Sequence, residues 1–159
     1  TDACPWGIGA ILSRYGKPVE WMADTLHQCD LDRFGAALGD SAYTTLWEAL
    51  CILTALRIWS SYLPQGLALR SDSLASLSAL VRMDSPSPGI NSLLREVALI
   101  EGSSGHSWVS LTHIPGISNA WADALSRLGA PAPKQVPPEL QDVPRRAVPP
   151  RGSSFYSAS

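Results

Sequence analysis

Cysteine is scarce in this chain: Cys4, Cys29 and Cys51 are its only three, widely spaced and without a CxxC pair. That spacing excludes a zinc knuckle and a disulfide framework, and it makes a reducing, intracellular compartment the default reading, with cytoplasm and nucleus not distinguished. Long apolar runs are lacking too; charged or polar residues interrupt each one well short of the ~18 residues needed to span a bilayer. The opening TDACPWG has no basic segment leading into an apolar stretch, so no secretory signal is read there. Nor does it start with Met, and these residues already resemble the end of a strand, so the chain is expected to be a piece of something longer. An excess of positive charge is also missing. The net charge is −2, which gives no positive support for a polyanionic partner. Its distribution keeps that partner open: residues 1–129 carry eight Lys/Arg against twelve Asp/Glu, and the rest carries four against two. Cations bound to a few of those acids would offset the excess.

What is present suits one globular domain. The chain has 159 residues, 45% hydrophobic, with six tryptophans to build a core. Composition shifts after Leu128, and seven prolines follow before the C-terminus. Residues 130–159 are expected to be a disordered tail or linker with too little apolar surface to offset ordering. Arg145, Arg146 and Arg151 are read as solvated there. Within 1–129, GIGAILSRY (7–15) and residues 19–22 predict a hairpin turning at Gly16-Lys17-Pro18, and the Asp-rich stretch 24–40 reads as irregular. Helices are predicted at 44–62 (stopped by Pro64 and Gly66), 73–81, 90–101 and 119–128, with strands at 66–71 and 107–114. The pattern implies an α/β fold, one mixed sheet flanked by helices.

Four acids stand in four different elements. Glu48 lies on a helix that is apolar from Leu46 to Trp59, in a stripe with Ile52, Ala55 and Trp59, and no Lys or Arg lies within four residues. A buried carboxylate in that position needs a proton, a distant cation or a metal; the alternative is an acid favoured near a helix start. Asp72 ends a strand, where it is either a site residue or an N-cap beside Ser71 and Ser73. Asp123 lies in the closing helix with Arg127 four residues on, so an i,i+4 pair is its ordinary reading. Asp2 is either a ligand or a fraying terminal residue. Together the four suit phosphodiester hydrolysis, in which Mg²⁺ ions (Mn²⁺ as substitute), paired ~3.5–4 Å apart, neutralise phosphoryl charge.

At these residues the sequence resembles the RNase H family, in the form found beside reverse transcriptase in retroelement polyproteins. TDACPWGIGAIL resembles that family's first strand and hairpin with Asp2 as first acid. TTLWEALCILTALRIW resembles its first helix with Glu48, and LRSDSLASL the strand end bearing Asp72. HIPGISNAWADALSRL resembles the closing motif, with Asp123 as fourth acid and Asn119 four residues earlier. The resemblance spans about residues 1–128. It implies an RNase H-like sheet of about five strands, cleavage of the RNA strand of RNA–DNA hybrids, and a reverse transcriptase domain as partner in the same polyprotein, with no membrane. It also makes His113, ten residues before Asp123, a proton-handling helper, whereas His27 and His106 are read as surface residues. Expected substrate contacts are Cys4, Gly7, Thr44, Thr45 and Asn119. The family's first strand begins several residues before the first acid, so here that strand is expected to be truncated and metal-dependent in its stability. No basic protrusion is seen at residues 83–89, so hybrid binding is expected to lean on the polymerase domain. Two other readings stay open. One is a catalytically impaired module that binds or tethers. The other is a DDE integrase or transposase core, whose glutamate spacing is not met by Asp84, Glu96 or Glu101.

Overall fold

The computed structural model describes residues 1–62, 66–105 and 107–157; the expected stop at Pro64 and surface place of His106 lie outside the described residues. Strands β1 (Asp2–Cys4), β2 (Gly7–Arg14) and β3 (Lys17–Thr25) form an antiparallel sheet in that order. The β2–β3 hairpin turns on Tyr15 and Gly16, both at positive φ, one residue earlier than expected; this is the twist that two-residue hairpin loops favour. Strands β4 (Leu67–Ser71) and β5 (Trp108–His113) pair in parallel as a second sheet. The single mixed sheet of about five strands is therefore not formed as expected. No strand pairing joins the two sheets among the described residues, though Thr1, just before β1, donates through its amino group to Arg70 O of β4 at 2.9 Å.

The longest buried element is α2 (Thr44–Trp59), in which every residue from Leu46 to Leu56 is buried. Being apolar all round, it has no solvent face, and it lies against β1 and β2 on one side and α4 (Pro88–Ser104) on another. Side chains alternate across the first sheet. Ile8, Ala10 and Met22 join the main core around α2, while Ile11, Trp21 and Ala23 face the other way, toward Leu125 of α5 (Ala120–Ser126). Gly7 and Gly9 allow α5 to come very close. A Cβ on Gly9 would lie 2.6 Å from the Leu125 Cβ, and one on Gly7 2.6 Å from Ser126 O. The small residues of β2 thus set the height of α5 above the sheet. Helix α3 (Leu74–Arg82) follows β4, capped by the Ser73 hydroxyl accepting from the Ser76 amide. No helix among the described residues is long and apolar enough to cross a membrane.

Two expectations are corrected. The stretch 24–40 contains a helix, α1 (Gln28–Phe34), opened by Asp30 accepting from the His27 amide and closed by Gly35 at φ 62°. And residues 130–157 are not a loose tail but a strap across the body. Leu140 is fully buried beside Trp21, whose indole donates to Val143 O (2.9 Å) and Leu140 O (3.2 Å). Pro144 and Arg146 bond the backbone of Trp21, covering the free edge of β3. Arg151, expected in solvent, is 2% exposed. Its guanidinium grips Asp30 at 2.9–3.0 Å, Asp24 at 2.6 Å and Thr25 O at 2.6 Å. The Tyr156 hydroxyl, on the short terminal helix α6 (Ser153–Tyr156), also donates to Asp30. Few apolar residues suffice because a buried ion pair and the sheet edge hold the strap at its two ends.

Burial alone would disfavour the charge of Asp30, but the bonds from Arg151 and Tyr156 and the charge of Arg151 hold its pKa below the usual range. Replacing Arg151 with Met leaves that carboxylate buried and unpaired, and the expected loss is about 3–5 kcal/mol of stability. A denaturant melt checks this. Arg151→Lys should recover only part of the loss, because the fork geometry is gone, and a wild-type melt for Arg151→Met would contradict the latch.

Candidate metal centre

Three of the four acids converge. Asp2 in β1, Glu48 in α2 and Asp72 just past β4 each offer a carboxylate oxygen, all within 4.8 Å of one another. Glu48 is 3% exposed. One of its oxygens, Oε1, accepts from the Ala3 amide at 2.9 Å, while Oε2 is buried with no hydrogen-bond partner. Asp2 accepts through Oδ2 from the Ser126 hydroxyl at 2.6 Å. The buried Asn119 amide donates to Asp72 Oδ1 (3.1 Å), to Thr1 O (3.0 Å) and, more distantly, to Asp2 Oδ1 (3.5 Å). A 3-10 turn, Gly116–Asn119, brings that amide in, and it passes so near that a Cβ on Gly116 would sit 3.3 Å from Asp72 Oδ2. The N-cap reading of Asp72 lapses, since Ser73 caps α3.

Crowding and burial both act on these groups. Burial, with Asp72 and Asp123 adding to it against the Ser126 hydrogen bond, pushes Asp2 up to about 6. Glu48 is pushed up to about 8, first by burial and then by Asp2, against the Ala3 amide. No Lys or Arg ion pair reaches the three acids among the described residues. Hard oxygen donors around a small space, one of them buried and unpartnered, fit Mg²⁺ or Mn²⁺.

Asp123 does not join them. Its Oδ1 accepts from Arg127 Nε at 2.7 Å and its Oδ2 from Lys134 Nζ. Burial opposes its charge, but these bonds outweigh it and hold the pKa below the usual range. The ordinary i,i+4 pair with Arg127 is thus formed, with a second cation added from the strap. His113 ends β5 opposite Ser71 and lines a groove of about 290 Å³ with Leu74, Leu77, Val81 and Leu111, on the α3 side. Cys4 is buried with its thiol donating to Ser126 O at 3.0 Å, and Gly7 is covered by α5, so internal packing takes the place of the expected substrate contacts. Thr44 donates to Ser41 O, and Thr45 lines a separate groove with Arg33, Tyr43 and Ser87. Asn119 turns out to clamp acids. Ser126, not anticipated, holds Asp2; its one sequence signal is its place three residues after Asp123. A second group, His27, Cys29 and Asp30, also has ligand atoms within 4.8 Å, but Arg151 and Tyr156 already occupy both Asp30 oxygens.

No family model, curated protein or solved structure matches the chain.

The raised pKa values set a pH dependence. Above the ordinary carboxylate range the folded protein holds protons that the unfolded chain has released, up to about 6 at Asp2 and about 8 at Glu48. Stability therefore falls as pH rises through that window. The melting temperature in EDTA should drop from pH 5 to pH 9, and Glu48→Gln should flatten most of the drop. Millimolar Mg²⁺ should flatten it too, by binding the ionised form. A metal-free melting curve that climbs from pH 5 to 9 would contradict the assignment.

Proposed function

We propose that the chain is an RNase H-like nuclease domain that hydrolyses the RNA strand of RNA–DNA hybrids, as part of a retroelement polyprotein beside a reverse transcriptase. The observation that carries the reading is the convergence of Asp2, Glu48 and Asp72 from three distant elements around the unpartnered Glu48 Oε2. Supporting it are the order of these acids along the chain and the HIPGISNAWADALSRL segment, whose Asn119 and Ser126 both bond the cluster. Thr1, the residue before β1, also donates through its amino group to Arg70 O of β4, a contact that supports the reading.

Each residue has a part in this reading. Glu48 forms the buried floor, fixed by the Ala3 amide, and presents Oε2 inward. Asp2 is held from the α5 side by Ser126. Asp72 is only half-buried, so it faces both the cluster and an incoming phosphodiester. Asn119 sets the separation of Asp2 and Asp72. Mg²⁺ bound among these oxygens would supply neutralisation of charge on the phosphoryl oxygens. RNA would be told from DNA through its 2′-hydroxyl. His113, which lines the groove on the α3 side, would assist by approaching from there.

A second reading, a module that binds or tethers without efficient cleavage, is favoured by one observation: both Asp123 oxygens are already engaged by cations. Hydrolysis of an end-labelled RNA–DNA hybrid in Mg²⁺ or Mn²⁺ separates the two. The proposed activity requires cleavage that Asp72→Asn lowers on the order of 100-fold or more. Cleavage unaffected by Asp72→Asn would sink the site; no cleavage alongside intact hybrid binding would favour the second reading.

A further inference from the structure

The strap ends its first turn away from α5 at Lys134. The Lys134 amide donates to Arg127 O at 3.2 Å and its ammonium lies on Asp123 Oδ2, so backbone and head are both referred to the same helix. Beyond it, Leu140 is seated against Trp21 and Leu125, and Arg151 is locked to Asp30. Prolines at 131, 133, 137 and 138 stiffen the span between. A lysine on a solvated tail would wander, whereas this one is delivered to one carboxylate. Asp123 is tied to the cluster through Ser126, whose hydroxyl bonds both Asp2 Oδ2 (2.6 Å) and the Asp123 carbonyl (3.0 Å). The pair itself is half in solvent, with Lys134 51% and Asp123 24% exposed at their side chains. Such pairs are weak and screened by salt, hence reversible.

We propose that Lys134 is an internal competitor for a second divalent cation: the strap 130–157 holds its ammonium on Asp123, and the centre takes a second ion only when the strap lifts. This rests on the reading of Asp2, Glu48 and Asp72 as a metal centre, and it regulates that same centre. The chemistry is direct. A divalent ion at Asp123 has to compete for its carboxylate oxygens, and Arg127 Nε already bonds one of them and Lys134 Nζ the other. Arg127 caps the C-terminal end of α5, four residues from Asp123, and stays with it; Lys134 can leave, because it reaches Asp123 only through the strap. Glu48 Oε2, already buried and unpartnered, marks the position of the first ion and is untouched by the strap.

Calorimetric titration of the full chain with MnCl₂ tests this. Wild type should take one ion, lost in Asp72→Asn. Lys134→Gln should add a second, on the order of tenfold tighter than any second event in wild type. Asp123→Asn in the Lys134→Gln background should remove it, and Lys134→Arg should behave as wild type. Leu140→Ala, which loosens the strap and keeps the lysine, should shift the second event in the same direction by a smaller factor. Unchanged binding in Lys134→Gln, or a gain that survives Asp123→Asn, overturns the proposal, and an unchanged Leu140→Ala overturns the part given to the strap. The Asp72→Asn comparison judges the metal centre separately: a first event unaffected by it defeats that reading while the Asp123-dependent gain still decides the role of Lys134.

Discussion

Three carboxylates brought within one ion's reach, with one oxygen buried and unbonded, are the arrangement around which the rest of the molecule is organised. Glu48 sits on the one helix that has no solvent face, so neither water nor a surface lysine can neutralise it. Its single hydrogen bond, from the Ala3 amide, ties α2 to β1 and places Asp2 beside it. The close seat of α5 on Gly7 and Gly9 then delivers Ser126 to Asp2, and the turn before α5 delivers Asn119 to both aspartates. Each of these contacts is made to an acid that would otherwise repel its neighbours. Without a cation the cluster is tolerated by holding protons; the proposed cation would bind the ionised form in the same geometry.

Outside the cluster, a second buried acid is handled in the opposite way. Asp30 is as inaccessible as Glu48, yet every lone pair direction is met by Arg151, Tyr156 and the His27 amide. The contrast is informative. This fold is able to satisfy a buried carboxylate completely, and at Glu48 it leaves one oxygen open. Asp123 falls between the two, close to the cluster but closed by Arg127 and Lys134.

Much of the centre was legible in the sequence because its signals are local. The absence of any basic residue within four positions of Glu48 anticipated its lack of an ion-pair partner, and the end of an alternating strand located Asp72 beside Ser73, the residue that proved to be the cap. Strands and hairpin were legible too, from GIGAILSRY and the turn after it. What was missed depends on long-range contacts. Ser126 meets Asp2 across 124 positions, and Arg151 meets Asp30 across 121. Helix α1, read as irregular, buries Asp30 against that same arginine, and a proline-rich segment gave no sign that Arg151, Leu140 and Tyr156 would hold it in place. The two sheets were read as one because periodicity identifies strands but does not show which of them pair.

The central claim is that the open oxygen of Glu48 belongs to a cation site. Anomalous diffraction from crystals soaked in MnCl₂ addresses it most directly. The account predicts a peak bonded to Glu48 Oε2 together with Asp2 and Asp72, with none at the His27, Cys29 and Asp30 group. No peak among the three acids, or manganese bound there without Glu48, would contradict it.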